Sequence, residues 1–121
     1  MANVLTNDGK AWIVDKINAL IASAVQPEWV EWGSGAGTAA ATDTAVFGTL
    51  PEARASCAMS QPASDTVQMV GLLTATTART VTNAGISTAS AAGAFILHSD
   101  FTGVALNSGD AMQFTFSLQI T

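Results

Sequence analysis

The sequence predicts a mainly β protein, a jelly roll or β-sandwich with one N-terminal α-helix. Short segments in which apolar and polar residues alternate recur along most of the chain, separated by Gly, Asn, Ser and Pro. One segment near the start instead has the apolar spacing of a helix. With 121 residues the chain has the length of one domain. We divide it into an N-terminal helical segment over residues 1–26 and a β domain over residues 27–121.

The predicted helix begins near Asn7 or Asp8, because either side chain can accept a hydrogen bond from the free amides of the first turn. Pro27 cannot continue a helix and biases Gln26 towards extended backbone, so the helix is predicted to end near Val25. Its apolar residues form one stripe: Trp12, Ile13, Ile17, Leu20, Ile21 and Ala24. This stripe must dock either on the chain's own sheet or on a neighbouring subunit.

The first predicted strand, Glu28–Trp32, contains two tryptophans. Trp29 and Trp32 are three positions apart and therefore lie on opposite faces of a strand. One could be a core residue and the other an interface anchor, because tryptophan supplies a large contact area and one donor. A carbohydrate-binding platform is the alternative, but the chain contains no tyrosine and few side chains suited to sugar hydroxyls.

The residues after this strand, Gly33–Thr44, are small and have no apolar period, which predicts a loop or an extended arm. Glycines such as Gly35 and Gly37 allow close backbone approach there. The Gly-rich run lacks the terminal lysine of a phosphate-binding loop, so it does not predict a nucleotide site. Further strands are predicted over residues 54–61, 66–74, 78–88, 94–98 and 111–120, with a turn before the last of them at Leu106–Asp110.

The composition limits the classes of partner. Only 11% of the residues are charged, compared with about a quarter in a typical globular chain. The net charge is −5 and the four basic residues are scattered, which argues against nucleic acid as a partner. Small neutral side chains lose little hydration when covered, which suits a protein packed against others. The alternative is an ordinary soluble domain of low charge.

No catalytic, cofactor or metal site is predicted. His98 is the one histidine, and neighbouring strand residues such as Ser99 point to the opposite face, so His98-Ser99-Asp100 cannot act as a triad. The carboxylates are too isolated for a general acid and base pair. Cys57 is expected to be a buried inert thiol, with an intermolecular disulfide as the alternative. We therefore expect a protein that is not an enzyme.

The first residues lack the basic region and long apolar run of a signal peptide. The uncharged apolar stretch Ile17–Val25 is too short to span a bilayer. We expect a chain that is made in a cytoplasm and does not have a membrane as its partner.

The order of several short blocks resembles the head decoration, or cement, proteins of tailed bacteriophages, whose close relatives are sometimes labelled tail-fibre proteins. The resemblance covers about residues 30–120, and Asn83 departs from it where an acidic residue is expected before Ala-Gly. The blocks are Trp32–Thr38, Asp43–Ala45, Pro51–Arg54, Val81–Ile86, Phe95–Phe101 and Leu106–Phe116.

The resemblance implies a virion structural protein, made in the host bacterium, that forms a homo-oligomer (dimer or trimer) on the capsid surface and bridges major capsid proteins. The expected contacts are the helix stripe Trp12, Ile13, Ile17, Leu20 and Ile21, the anchors Trp29 and Trp32, and the arm with Gly35 and Gly37. The first alternative is a tail or tail-fibre component whose Ser87–Gly93 loop binds a host receptor. The second is a small enzyme with a site shared between subunits.

Overall fold

The computed structural model describes residues 4–19 and 28–121. Within them, one helix precedes two antiparallel sheets, a four-stranded sheet of order β2-β1-β5-β6 and a three-stranded sheet of order β3-β4-β7. The predicted mainly β fold with a single N-terminal helix is therefore confirmed. The elements are α1 (Asn7–Ala19), β1 (Trp29–Gly33), β2 (Ala55–Ser56), β3 (Ala58–Ala63), β4 (Thr66–Thr74), β5 (Arg79–Ser87), β6 (Phe95–Leu106) and β7 (Ala111–Gln119).

The core lies between the two sheets and is built by alternation along the strands. The Trp32 ring from the four-stranded sheet meets the Phe114 ring from the three-stranded sheet edge to face, with centroids 6.3 Å apart. Fully buried aliphatic side chains surround this contact from both sheets: Val30, Val81, Ile86, Val67 and Met69. The two sheets thus share one hydrophobic core.

Helix α1 docks on its own domain, against β3 and β4, because Val14 is fully buried in the shared core. Its N-cap is Thr6 rather than the predicted Asn7 or Asp8, since Thr6 Oγ1 accepts a hydrogen bond from the Gly9 amide at 3.1 Å. Threonine is also favoured at the N-cap, and Thr6 stands one position before Asn7. The predicted helix end near Val25 lies outside the described residues.

Two strand predictions need correction. The segment predicted as one strand over residues 54–61 is split at Cys57, where the chain passes from the four-stranded sheet (β2) to the three-stranded sheet (β3). Strand β6 continues to Leu106 rather than ending at His98. Strand β6 is an edge strand with solvent along one side. Its residues past His98 can therefore be polar, and they need not show the alternation of apolar and polar residues that predicts a strand. Strand β4 has the predicted bounds.

The predicted turn before β7 is confirmed. The Asn107 amide donates to Asp110 Oδ2 at 2.8 Å, and Gly109 has a φ of +90°, which favours glycine. This turn takes the chain from β6, an edge of one sheet, to β7, an edge of the other. The ring centroids of Phe101 on β6 and Phe114 on β7 are 6.4 Å apart, which agrees with this placement. Strands β6 and β7 therefore lie along the same side of the sandwich.

Candidate functional site

The predicted arm folds back on its own domain. The Ser34 amide donates to the Gly48 carbonyl and the Gly35 amide to the Phe47 carbonyl, both at 2.9 Å. The Thr82 hydroxyl on β5 donates to the Gly35 carbonyl at 2.6 Å. The segment Ser34–Gly48 is thus a loop held on the four-stranded sheet, so of the two forms that the sequence predicts, a loop or an extended arm, the structure shows the loop.

The glycines of this loop allow a close approach within the chain. A Cβ atom on Gly35 would lie 2.7 Å from the Phe47 carbonyl carbon, and one on Gly37 would lie 2.7 Å from the Phe47 ring. Neither distance is tolerable for a real side chain. The predicted need for close backbone approach is confirmed, and Phe47 is the group that is approached. A contact of Gly35 or Gly37 with another subunit stays a prediction.

A buried polar cluster fastens the loop to β5 and β6. His98 Nδ1 lies 2.7 Å from Asp43 Oδ2, and His98 Nε2 lies 3.0 Å from Asn83 Oδ1. Asn83 is fully buried and bonds both the amide and the carbonyl of Phe47, at 2.9 and 3.0 Å. The Phe47 and Phe95 rings pack edge-on against the His98 ring, with centroids 4.6 and 5.2 Å from it.

Both ring nitrogens of His98 face acceptor oxygens, so the doubly protonated imidazolium satisfies both contacts and neutral imidazole satisfies one. The pKa of Asp43 is lowered by a hydrogen bond from the Ala40 amide and by another from His98. The Asp43–His98 contact is an ion pair only when the imidazole is protonated, and the His98 side chain is 5% exposed.

This cluster lacks the parts of a hydrolytic site. A catalytic base needs a free nitrogen within reach of a nucleophile, and both His98 nitrogens are occupied within the chain. Over the ranges 4–19 and 28–121, no group of three or more His, Cys, Asp or Glu side chains could hold a metal ion. His98 is a hydrogen-bonded strand histidine, as the sequence predicts, and its observable role is to position the Ser34–Gly48 loop.

A cavity of about 320 Å³ lies between this loop and the start of β6, and it is open to solvent. It is lined by Ala39, Ala40, Ala41 and Asp43 from the loop and by Phe95–His98 from β6. The one carboxylate in that lining is already bonded to Ala40 and His98. The cavity therefore offers little specific chemistry to a small ligand.

A second ion pair fixes the loop between β5 and β6. Arg54 binds Glu31 on β1 through two bonds, Nε to Oε2 at 3.0 Å and Nη2 to Oε1 at 3.3 Å. Its Nη1 donates to the carbonyls of Ala89 and Ala92, both at 2.7 Å. The Ser87–Gly93 loop of the receptor-binding alternative is thus exposed at Ser90–Gly93 and is held by Arg54 at the Ala89 and Ala92 carbonyls.

A third ion pair explains the position of Trp32. Glu52 Oε1 accepts from Trp32 Nε1 at 3.1 Å, while Oε2 accepts from the Thr76 hydroxyl at 2.6 Å and from Arg79 Nη2 at 3.1 Å. Burial alone would raise the pKa of Glu52, but the bonds from Thr76 and Arg79 outweigh it and lower the pKa to about 2. Trp32 is 1% exposed. It is the core member of the tryptophan pair, which removes it from the predicted interface.

The remaining predicted contact residues have mixed positions. Trp12 is 62% exposed, and Lys16 Nζ lies 5.7 Å from its ring centroid, so the ring is available on the surface of α1. Ile13 and Trp29 are half-buried. The Ile17 side chain and the residues Leu20 and Ile21 lie outside what the structure describes. Cys57 is buried, as expected, and desolvation raises the pKa of its thiol to about 11.

The three-stranded sheet has a surface that sequence reasoning did not single out. Strands β3, β4 and β7 contain no Asp, Glu, Lys or Arg. The face turned away from the core presents neutral polar side chains on β7, at Gln113, Thr115 and Ser117, and the 56% exposed Leu72 on β4. We call this the neutral face. Counting charges strand by strand would have found it, because residues 55–64 and residues 111–121 are all uncharged.

No protein-family model matches the chain, and neither a curated protein nor a solved structure matches it significantly. Among the described residues, no helix has both the length and the apolar character needed to cross a membrane.

Proposed function

We propose that the chain is a structural protein of a bacteriophage virion, a capsid decoration or cement protein that bridges and stabilises major capsid proteins on the outer surface of the head. The observation that carries the proposal is the neutral face, the outer face of a sheet whose three strands contain no charged residue. Covering charged groups costs several kcal/mol of hydration free energy unless they are paired. Covering Gln, Thr, Ser and Leu costs far less, so the neutral face suits permanent packing.

The placement of the charges supports the same proposal. Glu31, Glu52 and Asp43 are paired inside the chain with Arg54, Arg79 and His98, and these pairs hold loops against the four-stranded sheet. Loops fixed in this way lose little conformational entropy when a partner binds. A subunit with rigid loops and a neutral surface is adapted to a repeated lattice of neighbours.

The proposed mechanism is multivalent adhesion by a homo-oligomer. Each subunit contributes the neutral face and the exposed Trp12 on α1. Each contact is modest, and simultaneous engagement of several major capsid proteins makes the assembly tight. No nucleic acid, membrane or cofactor is needed for this role.

The test is co-sedimentation of the purified chain with expanded capsids that lack it, with isolated tails as competitor. Saturable binding to capsids at a stoichiometry near that of the capsid subunits is expected. Leu72→Glu, which puts a charge in the neutral face, should abolish binding. Ala91→Glu, the same charge in the exposed loop between β5 and β6, is the matched control and should bind normally. Capsid binding that is absent in the wild type, or equal in both variants, would reject the proposal.

The second candidate function is a tail or tail-fibre component that contacts the host surface. The observation in its favour is the exposed tip of the Ser87–Gly93 loop, which Arg54 holds at the Ala89 and Ala92 carbonyls. A preorganised exposed loop is a suitable recognition element. In that case the chain should bind tails alone, and Ala91→Glu rather than Leu72→Glu should reduce attachment to host cells.

A further inference from the structure

The edge strands of the sandwich are protected to different degrees. Strand β2 has only two residues. Strand β3 contains Pro62 and a register shift between Ser60 and Ala63. Strand β6 contains Asp100, has shifts in its pairing with β5, and is flanked by the loop whose Ala39 amide donates to Asp100. Short length, proline, bulges and charge are the features that prevent strands from pairing with other chains.

Strand β7 has none of these features. Its nine residues, Ala111–Gln119, include no proline, glycine or charge, and they pair with β4 in one unbroken register from Thr66↔Gln119 to Thr74↔Ala111. Within the part of the chain that the structure describes, no strand pairs with the other side of β7. Among the described edge strands, β7 is therefore the long and regular one that lacks these protective features.

The hydrogen-bonding direction along β7 can be read from its ends. The Asp110 carbonyl accepts from Ala75 and the Ile120 amide donates to Asp65, so even-numbered residues bond towards β4. Because bonding alternates along an antiparallel strand, the N–H and C=O groups of the odd-numbered residues point to the free edge. Gln113, Thr115 and Ser117 thus present amide and carbonyl groups to any strand that approaches.

We propose that β7 pairs antiparallel with β7 of a second copy of this chain, about a twofold axis at Thr115. The two three-stranded sheets would then form one continuous six-stranded sheet. The register follows from the symmetry: Thr115 faces Thr115 of the second copy, Gln113 faces Ser117, and Ala111 faces Gln119. All of these are odd-numbered residues, so every outward amide and carbonyl finds a partner.

A second copy is the occupant because β7 is complementary to itself on both faces. On the neutral face, the symmetric register opposes amide and hydroxyl side chains, which can hydrogen-bond to each other. On the core face it opposes Met112 with Leu118 and Phe114 with Phe116. Met112, Phe116 and Leu118 are half-buried in the single chain and would lose further exposed area in the pair. Because β7 itself has no charged residue, the symmetric register opposes no like charges within the two paired strands.

This pairing adds to the proposed function the surface through which copies of the chain join. Its role in a virion rests on that proposed function. Self-association itself needs no capsid. The neutral face of the two copies would become continuous across the axis, doubling the area that a capsid could cover. Self-association and capsid binding are therefore measured separately on the same variants.

The test is sedimentation velocity of the full chain over a wide concentration range. The wild type should be a dimer. Thr115→Lys or Thr115→Glu alone should raise the dissociation constant by roughly tenfold or more, because two like charges face each other across the axis. An equimolar mixture of the two variants should restore the dimer through opposite charges. Ala58→Lys, an exposed position on β3 at the opposite edge of the same sheet, is the matched control and should dimerise as the wild type does.

Several outcomes would overturn the inference: a wild type that is monomeric at all concentrations, a dimer or trimer that withstands Thr115→Lys, or a mixture that fails to associate. At concentrations where the wild type is also monomeric, the thermal unfolding midpoints of the Thr115 variants should match that of the wild type, because residue 115 points away from the core. Capsid co-sedimentation separates the two proposals. If the chain forms a dimer that responds to the charge variants but does not bind capsids, the β7 pairing is supported and the cement role is rejected. If the chain is a monomer that binds capsids, the cement role is supported and the β7 pairing is rejected.

Discussion

The two sheets of the sandwich use side chains of different chemistry. The four-stranded sheet contains Glu31, Arg79, His98 and Asp100, and its charged groups bond loops that cross its face and edge. The three-stranded sheet has no charged residue and is held by the shared core and its own ladder. The contrast shows that charged side chains hold loops on one sheet, whereas the strands of the other sheet contain none.

The two sheets should therefore respond differently to their environment. Ion pairs depend on protonation and, where exposed, on salt. The stabilisation from apolar burial depends much less on protonation and on salt. Changes in pH should act first on the loops of the four-stranded sheet, whereas loss of packing volume should act equally on both sheets because they share one core.

The largest effect is expected from Glu52→Ala. It leaves Arg79 and the Trp32 indole N–H without their acceptor in a nearly buried setting, which should lower the free energy of unfolding by about 4 kcal/mol. Urea denaturation at pH 7 measures this. Asp15→Ala, which removes an exposed carboxylate from α1, is the control and should change stability by less than about 0.5 kcal/mol. Equal effects of the two substitutions would show that the network is not a stabilising element.

A smaller loss is expected from Met69→Ala in the three-stranded sheet. Met69 is fully buried, and truncating a buried methionine costs about 3 kcal/mol in lost transfer free energy and cavity formation. The loss should be the same at pH 7 and pH 4, since no titrating group is involved. A pH-dependent loss in the urea midpoint would contradict the contrast between the sheets.

The third expected effect is acid sensitivity caused by Glu52. Its pKa is lowered in the folded state from 4.5 to about 2, so the unfolded state binds more protons between these values. The stabilisation by Glu52 is therefore complete above pH 4.5 and is lost as the pH falls towards about 2. The difference in thermal midpoint between the wild type and Glu52→Gln should shrink across this range. A constant difference from pH 6 to pH 2 would exclude Glu52 as its source.

Local patterns explain how much could be predicted from the sequence. The alternation of apolar residues predicted β4 with its correct bounds and β7 to within one residue. The Asn-Ser-Gly-Asp turn before β7 follows from the local chemistry of those residues. The end of β6 was missed because an edge strand needs no regular alternation, and the break at Cys57 was missed because a change of sheet is a tertiary event.

The candidate contacts were less predictable because they too depend on tertiary structure. The partners of Glu31, Asp43 and Glu52 are 23, 55 and 27 positions away in the chain, and no local spacing reveals such pairs. Trp32 could not be distinguished from Trp29 without knowing which face of β1 meets the other sheet. The Gly-rich segment has the composition of a free arm, but Phe47 and Asn83 hold it in place.

The smallest expected effect concerns one of these long-range pairs. Arg54→Lys keeps the charge opposite Glu31 but loses the planar fork that also reaches the Ala89 and Ala92 carbonyls. Stability should fall by only about 1 kcal/mol, because the loop beyond those carbonyls is exposed. Hydrogen exchange should accelerate at the Thr88 and Ala94 amides, which close the base of this loop, and should stay unchanged in β4 and β7. Faster exchange in both sheets would mean that Arg54 supports the whole core, and the contrast between a sheet that holds loops by charge and a sheet without charge would then be lost.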